Sequence, residues 1–240
     1  MALKLDILAF AAHPDDAELS CTGTIMAHIA QGKKAGICDL TRGELGTRGT
    51  VEIRAKEVEA SSKILNIHAR ENLGLPDGFM KNEEEHLLPL IKALRKYQPE
   101  IVLCNAIDDR HPDHGLSAII EERACFLAGL SKIVTTDNGV EQQAWRPKSV
   151  FHYIQDRYIN PDLIIDITPY FERKMEAIRA FKSQFYDPSG SEPNTYISSP
   201  DFLENIETRA REYGRAVGVK YGEGYTTKRK VGVKSLFDLL

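Results

Sequence analysis

The sequence has no C-x-x-C pair. Its four cysteines, Cys21, Cys38, Cys104 and Cys125, are scattered along 240 residues. That spacing fits buried thiols in a reducing compartment and argues against a disulfide framework or a thiolate zinc site. Long apolar runs are missing too. The stretch 7–12 is six residues, far short of the roughly 18 needed to cross a membrane. No secretory signal is expected, because Asp6 and the acidic pair Asp15 and Asp16 interrupt any apolar N-terminal region. Positive charge is not in excess. Lys plus Arg number 31 against 35 Asp plus Glu, a formal net charge of -4, which disfavours a nucleic-acid binder. Histidine is scarce, with seven residues, so where the histidines fall carries information.

What is present is the balance of an ordinary soluble protein: 42% hydrophobic and 28% charged residues. A chain this long buries about three quarters of its unfolded surface, so it needs no disulfide or metal to fold. One domain over 1–240, working in the cytoplasm, is the expectation. Short apolar runs alternate with amphipathic ones. Strands are predicted over 5–11, 35–40, 69–73, 101–105, 150–154 and 163–166. Helices are predicted over 18–31, 51–65, 83–97, 116–127, 170–181 and 200–217. The alternation predicts an α/β, Rossmann-like fold with a mostly parallel sheet flanked by helices on both faces. The segment 186–199, rich in Pro, Ser, Gly and Asn, reads as a long loop of functional or merely connecting character.

Two clusters carry chemistry. Ala12-His13-Pro14-Asp15-Asp16-Ala17-Glu18 follows the first strand, where ligands bind in open α/β sheets. Pro14 fixes the turn and biases His13 toward extended backbone. Adjacent Asp15 and Asp16 point different ways on such a turn, so one can face a metal and the other a water. Asp108-Asp109-Arg110-His111-Pro112-Asp113-His114 lies between the 101–105 strand and the next helix. A helical turn there makes His111 and His114 neighbours. Imidazole and carboxylate donors from both clusters suit zinc first, then Fe(II), Co(II) or Mn(II). Taken singly, each residue has a blander role: Asp113 as a helix cap, Arg54 as a surface charge, Asp77 as a turn residue before Gly78. His28, His68 and His86 read as cap or surface residues, and His152 lies on a strand from which it could approach the site, with no support from its neighbours. The conjunction of H-P-D-D and H-P-D-H on two strand-to-helix turns favours a metal site.

These motifs, with T-R-G-E-L-G-T-R-G over 41–49 and Y-G-E-G-Y over 221–225, resemble the PIG-L-type (LmbE-like) zinc-dependent N-acetylglucosamine deacetylases. The match is nearest to the bacillithiol-biosynthesis branch, whose members deacetylate N-acetylglucosaminyl-malate. The sequence departs from the family at Ser20-Cys21-Thr22-Gly23-Thr24, where Thr22 stands in place of the first glycine of a Gly-Gly pair. The resemblance implies His13, Asp16 and His114 as metal ligands and Zn2+ as cofactor, with Fe2+ or another divalent cation also able to serve. It implies Asp15 as general base. It implies His111 as the acid for the leaving amine or a donor to the oxyanion, with Asp113 pairing to His111. Arg54, Asp77 and Arg110 are implied sugar or carboxylate contacts, and Tyr196 an oxyanion or gating residue. A homo-oligomer is implied as well, though no surface pattern shows one.

Amide hydrolysis needs the same parts on chemical grounds: a nucleophile made at neutral pH, charge stabilisation on the carbonyl oxygen and a proton for nitrogen. A His111 paired to a carboxylate would be raised in pKa and protonated near neutrality. Arginine forks suit a substrate carboxylate. Two other readings within hydrolysis stay open: another N-acetylglucosamine conjugate or a chitooligosaccharide as substrate, and a metal-dependent phosphoesterase. The phosphoesterase would hold two metals with more bridging carboxylates. A non-enzymatic binding protein is the third class, and an intact Asp15 argues against it. With a mildly negative chain, an anionic substrate must be drawn by a few placed arginines.

Overall fold

The computed structural model describes residues 3–186 and 192–239. Nine strands and seven helices are formed among the described residues. The first half alternates as β1 (Ile7–Ala11), α1 (Asp16–Ser20), α2 (Thr22–Ala30), β2 (Ala35–Asp39), α3 (Val51–Leu65), β3 (Ala69–Asn72), α4 (Glu84–Tyr97), β4 (Ile101–Cys104) and α5 (Pro112–Leu127). A small hairpin, β5 (Thr136–Asp137) with β6 (Val140–Glu141), precedes β7 (Ser149–Tyr153), β8 (Leu163–Asp166), α6 (Phe171–Arg179), α7 (Phe202–Ala216) and β9 (Gly222–Thr226).

The main sheet runs β3-β2-β1-β4-β7-β9-β8. The first five of these strands are parallel, and β9 runs antiparallel to both β7 and β8. The expected mostly parallel α/β sheet is therefore the one formed. Every residue of β1 is buried, as a central parallel strand covered on both faces must be. Its alternate residues serve two cores. Leu8 and Phe10 pack with Leu87, Leu90, Leu94 and Ile120 from α4 and α5. Ile7, Ala9 and Ala11 pack with Ile25, Met26, Leu65 and Ala177 from α2, α3 and α6. A third cluster, built on Phe171, Phe181 and Phe202, ties α6 and α7 to the end of α1.

This topology positions the site. The chain turns to β2 on one side of β1, whereas β4 lies on the other side, so the strand order reverses there. Residue 7 of β1 stands beside residue 101 of β4. The segments leaving both carboxyl ends open into the same crevice, where such sheets bind ligands.

Two local departures from the sequence reading have physical causes. The helix expected over 18–31 is two helices, α1 and α2, broken at Cys21. The Glu223 carboxylate sits at the α2 N-terminus and accepts from Gly23 N at 3.0 Å and Thr24 N at 2.7 Å. A Cβ at Gly23 would lie 2.8 Å from Ile167 and 2.9 Å from Glu223. The close approach thus falls to Gly23, and Thr22 is accommodated, its hydroxyl donating to Glu18 O. The second departure is β9, whose Gly-Glu-Gly-Tyr-Thr run reads poorly as a strand. Its glycines admit α7: a Cβ at Gly224 would come within 2.9 Å of the Tyr213 ring. The helix expected to begin at 116 begins at Pro112, which carries His114 into its first turn. Of the loop expected over 186–199, residues 187–191 lie outside those described.

Candidate active site

The β1 end supplies His13, Asp15 and Asp16. Pro14 and the start of α1 force a sharp reversal, and Asp15 takes φ 118, a left-handed conformation rare for a side-chain-bearing residue. Such strain persists where surrounding structure fixes it, and it clusters at functional sites. Asp15 is 4% exposed, and its carboxylate makes no hydrogen bond among the described residues. It lines a cavity of about 350 Å³ instead. Burial pushes Asp15 up to about 7, against the pull of Arg54 and with the push of Asp16. Asp16 points the other way, as two adjacent carboxylates on a turn must. Its Oδ2 accepts from His13 N at 2.8 Å and lies 3.3 Å from His13 Nδ1. Its Oδ1 is 3.2 Å from His114 Nε2 and accepts from Gln155 Nε2 at 2.6 Å.

The β4 end supplies the other two imidazoles. His111 caps α5, its Nδ1 accepting from Asp113 N at 3.3 Å. The rings of His13, His111 and His114 lie with centroids 4.7, 5.1 and 5.6 Å apart. Possible ligand atoms of these three residues cluster tightly, and so do those of His13, Asp77 and Asp113. A carboxylate stands behind His114: Asp109 Oδ1 is 3.0 Å from its Nδ1. This is the carboxylate–histidine pairing that orients metal-ligating imidazoles.

The proton balance suits a cation. Burial works against charge on His13, yet hydrogen bonds that it donates to Asp113, Asp16 and Asp77 hold it well above the usual histidine range. Burial likewise opposes charge on His114, but Asp16 and Asp109 raise it to about 9. Asp16 is held well below the usual carboxylate range despite burial, chiefly by His114. Carboxylates thus favour a proton on His13 and on His114, and a divalent cation would take the place of those protons. The donor set of imidazoles and carboxylates fits a metal of the zinc or iron kind.

Several expectations change in detail. The Asp113 carboxylate does not pair with His111. It accepts from Gly78 N at 2.9 Å and lies 3.4 Å from His13 Nε2, because the first turn of α5 aims it at the 74–78 loop. Without that partner, His111 is lowered, not raised, by burial and by the neighbouring charges of His13 and His114. Asp77 is occupied by His13 Nε2 at 3.0 Å and by Leu45 N at 2.9 Å. Arg54 is buried beside the cavity, against Gly43. Arg110 lies 3.5 Å from Asp156 and stacks 4.3 Å over the Tyr196 ring, and Tyr196 donates to Asp156 at 3.1 Å. Outside the site, His86 and His152 are buried, not surface residues, and each is held by a backbone partner. His152 bonds to Asn105 O, His28 to Thr24 O and His86 to Lys81 N. All four cysteines are buried and free.

Asp109, Gln155 and Arg209 were not singled out from the sequence. Asp109 stood inside the second cluster and could have been found there. Gln155 follows β7, and Arg209 sits on a helix more than 90 residues from the second cluster, so only the fold brings them in.

The sequence profile of the PIG-L family, described as GlcNAc-PI de-N-acetylase, matches residues 8–124. The chain is 26% identical over 228 residues to a diacetylchitobiose deacetylase of Thermococcus kodakarensis, covering 91% of this chain and 81% of that protein. A conserved protein from Thermus thermophilus has a similar structure, with TM-score 0.85 and 35% identity over 97% of this chain and 98% of that one. The N,N'-diacetylchitobiose deacetylase of Pyrococcus horikoshii is similar at TM-score 0.77 and 26% identity, over 98% and 88% of the two chains.

Proposed function

We propose that this chain, which belongs to the PIG-L family and is an N-deacetylase like its relatives, removes the acetyl group from a glycoside of N-acetylglucosamine, acting as one domain over 1–240. The observation that carries the reading is the meeting of His13, Asp16, His111 and His114 beside an Asp15 carboxylate that makes no hydrogen bond among the described residues. His13, Asp16 and His114 would hold a divalent cation, zinc by donor preference, which supplies carbonyl polarisation and acidifies bound water.

The chain's own residues supply the rest. Asp15 faces the cavity and takes the proton as water attacks the acetyl carbon. His111, lowered toward the neutral form, is placed to donate its N–H to the oxyanion, and the departing nitrogen takes the proton that Asp15 received from the water. The C–N bond then breaks to acetate and a free amine. Asp113 and Asp77 brace His13 and the 74–78 loop. Asp77 contributes to the substrate pocket by shaping that loop. Arg54, Arg110 and Tyr196 line the cavity and would contact the sugar.

For the aglycone we favour a carboxylate-bearing group, N-acetylglucosaminyl-malate of bacillithiol biosynthesis. The arginines that line the cavity support it. The buried free thiols fit the same setting, a reducing cytoplasm. A second reading, a chitooligosaccharide substrate, is favoured by the diacetylchitobiose deacetylases among the relatives. Free-amine formation from N-acetylglucosaminyl-malate and from diacetylchitobiose tests both. A higher kcat/KM on the malate glycoside is expected. A higher value on diacetylchitobiose would overturn the malate assignment, and no amine from either would overturn deacetylation.

A further inference from the structure

Arg209 has no part in the reaction as described, yet it lines the same cavity. It projects from α7, a helix that otherwise packs through Phe202, Ile206, Ala210 and Tyr213. One N–H of its guanidinium is used: Nη2 donates to Leu19 O at 3.2 Å. Among the described residues it forms no ion pair.

Two of the other three arginines of the cavity already have partners within the protein. Arg48 donates to Ser183 O, Pro193 O and Phe185 O and lies 3.6 Å from Glu192. Arg110 has Asp156 and Tyr196. Arg54 likewise makes no ion pair among the described residues, but its charge falls on Asp15, at the reacting end of the cavity, and not on the far wall where Arg209 stands. Arg209 feels Asp156 and Asp109 only at longer range, and burial disfavours its charge. A part-buried guanidinium keeps its proton at any ordinary pH and retains several unused donors. Holding it there is unfavourable unless an anion completes it. The apolar side chains of Leu19 and Phe202 share the cavity wall, and low-dielectric walls strengthen such a pairing.

We propose that Arg209 is a specificity residue, binding an oxyanion on the aglycone of the substrate and making the site prefer acidic glycosides. This rests on the deacetylase reading. Carboxylate and phosphate share the chemistry, since either accepts a guanidinium fork.

Steady-state deacetylation by wild type, Arg209→Met and Arg209→Lys tests it on three substrates: N-acetylglucosaminyl-malate, N-acetylglucosamine 1-phosphate and methyl N-acetylglucosaminide. Wild type should prefer at least one acidic substrate, and which one identifies the anion. Arg209→Met should lose about 10- to 100-fold in kcat/KM on that substrate, as expected for a charge-assisted hydrogen bond. The loss should fall mainly on KM, while the neutral glycoside changes less than about threefold. Arg209→Lys keeps the charge and the apolar stem and should recover part of the loss. It also serves as the test if the Met variant does not fold. Equal losses on all three substrates, no loss on any, or a wild type without acidic preference would each overturn the assignment. A wild type inactive on all three would overturn the deacetylase reading itself.

Discussion

At the residue scale, the neighbours of each reacting group matter as much as the group. Asp15 and Asp16 are adjacent and both buried, yet they titrate in opposite directions: one is raised to about 7, the other held low by imidazoles. The difference comes from direction, since φ 118 at Asp15 turns its carboxylate into the cavity. The two His–Asp clusters were legible in the sequence because their members are contiguous. Asp109 was legible only as a cluster member, and its role behind His114 depends on the α5 turn. Asp109→Asn should therefore weaken zinc affinity by about 10- to 100-fold while the fold persists, measured by competition with a chromogenic chelator. An unchanged affinity would mean that His114 is oriented by something else.

At the element scale, the helices that carry the site are pinned from the far end of the chain. Lys174 of α6 and Glu223 of β9 form a buried ion pair. Glu223 also accepts from two N–H groups at the start of α2, those of Gly23 and Thr24, and from the Tyr225 hydroxyl. Removing one partner of such a pair leaves an uncompensated buried charge. Lys174→Met should cost roughly 3–5 kcal/mol of stability, and adding Glu223→Gln should restore part of it. Denaturant unfolding of both variants checks this, and a loss below about 1 kcal/mol would mean the pair is screened. The α1–α2 break and β9 escaped the sequence reading for the same reason. Helical periodicity runs unbroken across Cys21, and glycine is a poor strand residue. What decides both is a contact between residues 23 and 223, 200 positions apart. The parallel strands and α3 to α5 were legible because their apolar patterns are local.

At the scale of the whole molecule, the reversal of strand order at β1 brings the two motifs together. Behind the site lies a buried acid the reaction does not use. Burial pushes Glu121 from 4.5 to about 8, although Asn105 N donates to it. The folded protein therefore keeps a proton there that the unfolded chain releases near 4.5. That contribution to stability is complete below the unfolded value and declines as pH rises toward about 8. The unfolding midpoint should fall between these pH limits, and Glu121→Gln, which cannot ionise, should flatten that fall. An equal fall in both proteins would remove Glu121 as its source. Among the described residues no helix is long and apolar enough to cross a membrane.

In the proposed mechanism, the crevice between the ends of β1 and β4 deacetylates with Asp15 as its base. Wild type and Asp15→Asn, loaded with zinc and matched for metal content by elemental analysis, should be compared by mass spectrometry of the products from N-acetylglucosaminyl-malate and diacetylchitobiose. A free-amine product is expected from wild type, and a rate lower by about 10²–10⁴-fold in the variant. Equal rates at equal metal content would contradict that mechanism.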